Sequence, residues 1–196
     1  MKILAFVDTH GIKNAFDEIL KKSKDADVLV CAGDFTRWGE STEKWIQFLE
    51  TTGKPLILIH GNHESDREVA AACKKYKFCV YLHRAAYEMG EYLFFGFGGG
   101  GFSERNIEFE RVAEHVKKDA KGKKLILITH GPPYGTSLDF IDDMRHSGCK
   151  SIRKFIEEAK PMACICGHIH ETAGSTDLIG KTFIINPGPR GAMLKV

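Results

Sequence analysis

Five apolar runs, each followed by residues of metal-binding type, constrain this chain more than anything else in it. Lys2–Val7 leads into Asp8-Thr9-His10, Asp27–Ala32 into Gly33-Asp34, and Pro55–Ile59 into His60-Gly61-Asn62-His63-Glu64. Leu125–Ile128 leads into Thr129-His130-Gly131, and Met162–Cys166 into Gly167-His168-Ile169-His170. Short runs of Ile, Val and Leu bounded by Gly or Pro read as buried strands. In an open α/β sheet, ligands gather beyond the carboxyl ends of the strands. Five strand ends bearing Asp, His or Asn therefore predict one shared site.

The rest of the chain sets the frame for that site. At 196 residues, 43% hydrophobic and 28% charged, it fits one globular domain over 1–196 with a sizeable core. No Ser/Gly linker or internal repeat marks a boundary. A net charge of +2 gives no electrostatic case for stable nucleic-acid or membrane binding. No apolar stretch approaches the roughly 18 residues of a membrane span. The chain enters its first strand at Lys2 without a signal-peptide pattern, so the cytoplasm is the expected compartment. Cys31, Cys164 and Cys166 lie inside apolar runs, where a reduced thiol packs as a small hydrophobe. Cys73 and Cys79 bracket the end of a predicted helix, and a bridge between them is the alternative to free thiols.

Strand and helix alternate through the first half. Lys2–Val7, Val28–Ala32 and Leu56–Ile59 read as strands, with helices near Ile12–Lys24, Thr42–Thr52 and Asp66–Tyr76. That order implies a parallel sheet with right-handed crossovers. Phe78–Leu82, Ala85–Met89 and Tyr92–Phe97 read as short strands in antiparallel hairpins. A charged helix (Glu104–Lys121), strand Lys124–Thr129, a loop through Asp142 and a helix near Cys149–Lys160 follow. Strand Met162–Cys166 precedes a last hairpin of Thr172–Asp177 and Lys181–Asn186. The expected class is α/β, a four-layer sandwich of two mixed sheets flanked by helices.

Asp8, His10, Asp34, Asn62, His130, His168 and His170 make seven candidate ligands, about enough for two metals sharing one carboxylate. Four imidazoles suit manganese, iron, nickel or zinc better than magnesium or calcium, which prefer oxygen shells. Two divalent ions balanced by two aspartates and a bridging hydroxide leave a net positive centre that attracts a phosphate-ester anion. Paired metals stabilise both the attacking and leaving oxygens of an in-line displacement. His63 is the spare imidazole. Next to Asn62 in extended backbone it points the other way, and it is assigned as the general acid for the leaving alkoxide.

The motifs D-x-H, G-D, G-N-H-E, H and G-H-x-H, in this order, resemble the calcineurin-like metallophosphoesterase superfamily over almost the whole chain. The resemblance implies that Asp8, His10, Asp34 and His170 hold one metal. It implies that Asp34, Asn62, His130 and His168 hold the other, with Asp34 bridging and His63 as proton donor. Ala32–Thr36, Thr129–Gly135, Cys166–Glu171 and Asn186–Gly188 look like the Icc-related phosphoesterases, in the class III cyclic-nucleotide phosphodiesterase group. Arg37 stands where the protein-phosphatase motif G-D-x-x-D-R-G needs its second Asp, which argues against that activity. The expected function is a phosphodiesterase using two divalent transition metals, manganese foremost, on a small phosphate ester, with nucleotides among the candidates. The rivals are a phosphomonoesterase of the same fold and a non-catalytic metal-binding scaffold.

His60, His83, His115 and His146 are read as structural, with substrate contact an alternative for His146. Gly96–Gly101 matches G-x-G-x-x-G, but the next strand ends in Thr129-His130 rather than an acid; the glycines read as a loop lining the cleft. Glu64 is read as an acceptor orienting a ligand or as the start of a helix. Lys117–Lys124 is a solvated helix end.

Overall fold

Alternation along each apolar run decides the layering. The computed structural model describes residues 1–141 and 145–196. Strands β1 (Lys2–Phe6), β2 (Val28–Cys31), β3 (Leu56–Leu58) and β4 (Cys79–Tyr81) alternate with helices α1 (Lys13–Ser23), α2 (Thr42–Glu50) and α3 (Asp66–Cys73). Then come β5 (Ala85–Met89), β6 (Tyr92–Phe97), α4 (Ile107–Asp119), β7 (Lys124–Thr129), β8 (Phe140–Ile141) and β9 (Arg145–His146). The chain ends with α5 (Lys150–Ala159), β10 (Ala163–Ile165), β11 (Thr176–Ile179), β12 (Thr182–Ile185) and β13 (Ala192–Lys195).

Two sheets result. One has the order β13-β1-β2-β3-β4, the other β11-β12-β10-β7-β6-β5. In each, four neighbouring strands run parallel; the first sheet adds one antiparallel edge strand, β13, and the second adds two, β11 and β5. Ile3, Ala5, Val28, Val30, Ile57, Phe94, Ile126 and Ile165 belong to one buried cluster joining the sheets. Their sequence neighbours Leu4, Phe6, Leu29, Cys31, Leu56 and Leu58 pack instead with Phe16, Ile19, Trp45, Ile46 and Val69 of α1–α3. On the far side Leu125, Leu127 and Cys164 meet Phe109 of α4 and Ile152, Phe155 and Ile156 of α5. Period-two exposure to two different layers explains why the strands read as continuous apolar runs. The expected sandwich of mixed sheets and outer helices is the observed one.

Three expectations need correction. β4 does not form a hairpin with β5; it pairs parallel with β3 (Leu56↔Cys79), as the right-handed crossover through α3 requires. The chain then turns at Arg84, in left-handed backbone (φ 56), and β5 starts the antiparallel pair with β6 in the other sheet. The last hairpin begins at Thr176 rather than Thr172 because His170–Thr172 forms a 3₁₀ turn, in which the Thr172 hydroxyl donates to Ile169 O at 2.9 Å. The C-terminal strand β13 went unread behind Pro187–Gly191; it pairs antiparallel with β1, Lys2↔Lys195. Of the expected long loop, Asp142 lies outside the described residues. The flanking β8 and β9 pair antiparallel. Cys73 Sγ and Cys79 Sγ lie 2.8 Å apart as thiols. No described helix is long and apolar enough to cross a membrane.

Candidate metal centre

Every predicted ligand follows the carboxyl end of a parallel strand. Asp8 and His10 follow β1, Asp34 follows β2 and Asn62 follows β3; these three strands are neighbours in one sheet. His130 follows β7, and His168 and His170 follow β10, its neighbour in the other sheet. The two sheets present these ends to each other and are stitched there. His130 Nδ1 donates to Ala32 O (2.9 Å), and His168 N donates to Asp8 Oδ2 (2.9 Å). Within one sheet, Asp8 N and His10 N donate to Gly33 O and Asp34 O (3.1 and 3.0 Å).

The approach is close enough to need glycine. A Cβ on Gly61 would lie 2.0 Å from Asp34 Oδ1, and one on Gly167 would lie 2.3 Å from Val7 Cγ2 and 2.8 Å from Asp8 Oδ2. Asp8 (φ 55), His10 (φ 45), Asp34 (φ 49) and His168 (φ 71) all occupy left-handed backbone. Such conformations cost non-glycine residues on the order of 1–3 kcal/mol and persist where function holds them. Nothing in the sequence announced this strain.

Three donor clusters overlap at the centre: Asp8, His10 and His170; His10, Asp34 and His63; Asp34, His130 and His168. Asn62 joins the last, its Oδ1 2.9 Å from His130 Nε2. Asp34 Oδ2 lies 3.3 Å from His130 Nε2 and 3.8 Å from His63 Nε2. All eight predicted site residues are thus brought together.

The donors fit divalent cations. His10 Nε2 and His170 Nε2 face each other at 3.1 Å, about the separation of two neighbouring ligands that each sit about 2.1 Å from one ion. Asp8 Oδ1 and His168 Nε2 are buried with no hydrogen-bond partner among the described residues, although a buried polar atom ordinarily has one. His130 gives its Nδ1 proton to Ala32 O, so its Nε2 faces the acceptors Asn62 and Asp34 with a lone pair unless it takes a second proton. A backbone carbonyl fixing the tautomer in this way is the usual support of a metal-bound histidine.

The electrostatics agree. Burial raises the Asp8 carboxyl, against the pull of His130. Burial acts on Asp34 too, but the His130 hydrogen bond and charge outweigh it and hold Asp34 below the usual carboxylate range. Burial opposes charge on His130 as well, and the bond to Asp34 overcomes it, so its imidazole is raised. A cation held between these two donors would take the place of such a shared proton. Burial and the neighbouring His130 lower His168 to about 4, and burial lowers His10; both present lone pairs near neutral pH.

The family model for calcineurin-like phosphoesterases matches residues 1–172. The chain belongs to that family. An archaeal relative, the uncharacterized protein MJ1162 of Methanocaldococcus jannaschii, is 32% identical over 97% of this chain and 89% of its own length. The TT1561 structure from Thermus thermophilus superposes with a TM-score of 0.74 at 18% identity, covering 95% of this chain and 88% of that one. A structure described as a novel archaeal phosphodiesterase has a TM-score of 0.58 at 17% identity, covering 96% and 84%. At such identities the structural likenesses establish the fold alone. The family and the ligand clusters make the chain a metal-dependent phosphoesterase.

Other sequence readings find their places. Glu64 is the predicted orienting acceptor: buried, it takes Asp34 N, Gly61 N, Thr36 N and the Thr36 hydroxyl at 2.8–2.9 Å. His60 Nδ1 meets Tyr81 OH (2.6 Å); His60 O accepts Gly99 N (2.8 Å) and His83 Nδ1 accepts Gly98 N (2.9 Å), which tie the glycine loop to the rest of the fold. His146 bonds buried Asp139 (2.7 Å), and exposed His115 caps Arg111 O on α4. The loops near Arg37 and over Phe97–Asn106 read from the sequence as pocket walls, without singling out the two residues that touch the centre: Trp38, stacked on His63, and Phe102, against His168.

Proposed function

We propose that the chain is a phosphodiesterase using two divalent transition-metal ions, manganese foremost, with His63 as general acid. One observation carries the reading: the Asp34 carboxylate belongs both to a donor cluster with His10 and His63 and to one with His130 and His168, as a shared ligand must. Asp8, His10, Asp34 and His170 would hold one ion, and Asp34, Asn62, His130 and His168 the other. When bound, the ions would neutralise charge on the phosphoryl oxygens and acidify a water to serve as nucleophile at neutral pH. Asn62 contributes a neutral carbonyl where a carboxylate would cancel the positive charge that attracts the ester. His63, its main-chain N–H anchored on Asp34 Oδ1 at 2.8 Å, delivers a proton from Nε2 to the leaving oxygen. His10 is half-buried and His170 exposed, so the ester can reach the centre from solvent.

The subgroup motifs around Thr129–Gly135 and Cys166–Glu171 support the diester preference, and a described phosphodiesterase shares the fold. We read residues 1–196 as one catalytic unit acting on a small phosphate ester such as a nucleotide. Six unbridged cysteines accord with a cytoplasmic setting. The test is turnover of bis-p-nitrophenyl phosphate with added Mn²⁺, beside p-nitrophenyl phosphate and metal analysis of the same preparation. Faster diester cleavage at about two ions per chain is expected. A preference for the monoester replaces the reading with a phosphomonoesterase, and inactivity across the first-row divalent metals overturns it.

A further inference from the structure

Two large aromatic side chains that touch histidines of the metal centre stand in solvent. Trp38 is 71% exposed and Phe102 is 64% exposed. Exposed apolar side chains are common on folded surfaces, and what sets these two apart is the rings they touch. Trp38 stacks on His63 with ring centroids 4.0 Å apart and planes 15° from parallel. Phe102 lies 4.5 Å from the ring of His168. His63 and His168 each share a donor cluster with Asp34, so each ring touches an imidazole that adjoins that carboxylate.

The Trp38 loop is built to hold its ring there. Trp38 is in left-handed backbone (φ 54), as are Gly39 (φ 78) and Ser41 (φ 60). A bulky residue with positive φ is an outlier that the surroundings must enforce. The enforcing groups are Thr36, whose hydroxyl accepts Gly39 N at 3.0 Å, and buried Glu64, which accepts Thr36 N and its hydroxyl at 2.8 Å. The carboxylate that fixes Asp34 and Gly61 therefore also fixes the loop carrying Trp38. Phe102 follows Gly99 and Gly100, both at positive φ, and borders a cleft of about 430 Å³ shared with Tyr134 and His146.

We propose that Trp38 and Phe102 are specificity-determining residues that hold a planar aromatic group of the phosphoester, Trp38 taking the group on the leaving alcohol. The inference rests on the phosphodiesterase reading and deepens it. Trp38 covers the proposed proton donor with one face and leaves the other to solvent. An alcohol that takes its proton from His63 would leave beside the indole, where a group carried on it can reach round the ring's edge to the open face. A flat π-system attached to it would stack there, as bases stack on exposed aromatic side chains. A ring present only to shield His63 would act equally on all esters.

Matched esters test this, with alcohols of near-equal acidity so that chemistry does not set the difference. One pair is the methyl phosphodiesters of 2-phenylethanol and 2-cyclohexylethanol; the other is an adenosine methyl phosphodiester and its abasic counterpart. Wild type should favour the aromatic member of at least one pair in kcat/KM by on the order of tenfold, and the two pairs separate a simple arene from a base. The ratio should fall toward one in Trp38→Ala and further in the double variant with Phe102→Ala, and Trp38→Phe should restore most of it. A wild-type ratio near one, or an unchanged ratio in the double variant, overturns the proposal while leaving the phosphodiesterase reading intact. If no ester turns over, that reading fails, and binding decides the aromatic one. In a Trp45→Phe background, which leaves Trp38 as the only tryptophan, 2-phenylethyl phosphonate should quench its emission at lower concentration than the cyclohexyl analogue. Equal or absent quenching overturns it.

Discussion

His63 differs from the other imidazoles of the centre in what surrounds it. Trp38 covers one side, the His10 ring lies 4.6 Å away, and its main-chain N–H rather than its ring contacts the Asp34 oxygen at hydrogen-bond distance. It also shares a donor cluster with His10 and Asp34, so ligand and proton donor must be separated by experiment. His63→Asn should retain about two metals per chain and lose about 10²–10⁴-fold in turnover; loss of metal in the purified variant would make His63 a ligand. The strained ligands give a second test. His168→Gly and His168→Ala remove the same imidazole, but only glycine is at ease at φ 71. In metal-free protein the glycine variant should be more stable than the alanine variant by about 1 kcal/mol, measured by urea denaturation. Equal midpoints would mean the turn relaxes once the ring is gone.

Loops gain their rigidity from one carboxylate. Glu64 Oε2 accepts Gly61 N and Asp34 N, and Oε1 accepts Thr36 N and the Thr36 hydroxyl, joining the segments after β2 and β3. Glu64→Gln keeps the shape but turns an amide NH₂ toward one of these donor pairs. Leaving buried donors unsatisfied costs about 1–3 kcal/mol, and loss of such support typically weakens metal affinity about 10–100-fold. Both effects are expected, by denaturation of the metal-free protein and by calorimetric metal titration; unchanged metal affinity would show that the clamp does not position Asp34. The elements themselves were legible wherever burial on both faces wrote a continuous apolar run, as in β1, β2, β7 and β10. β4 was misplaced because two short runs separated by a tight turn look alike whether the strands pair or part. Only the α3 crossover and the Arg84 turn decide it, and neither is a local pattern.

At the scale of the molecule, two sheets meet along one line of strand ends, and that is why the ligands could be read residue by residue from sequence while the rim could be read only as loops. Each ligand follows an apolar run, so the fold class carries it to the centre. Trp38 and Phe102 matter through exposure and through the rings they touch, which no spacing encodes. The same meeting of sheets makes a second seam at His60 and His83. Gly99 N donates to His60 O (2.8 Å) and Gly98 N to His83 Nδ1 (2.9 Å), binding the glycine loop after β6 to the sheet of β3 and β4. Burial first, with added charge from His83 on His60 and from Arg84 on His83, holds both imidazoles down to about 4. Both therefore titrate lower in the folded chain than in the unfolded one, where the ordinary value is about 6.5. The unfolded chain takes up protons that the folded one refuses, so stability present above about pH 6.5 is lost as pH falls toward 4. A full shift would remove about 2 kcal/mol per ring by pH 5, and solvent screening of the half-buried His83 reduces its share to about 1 kcal/mol. His83→Asn keeps an acceptor for Gly98 N and removes the titration. In chelator-treated protein, urea midpoints at pH 7.5 and 5.0 should fall less for His83→Asn than for wild type, by that amount. Equal losses would mean that protonation of His83 contributes nothing and that acid acts through His60 and the metal-ligand histidines.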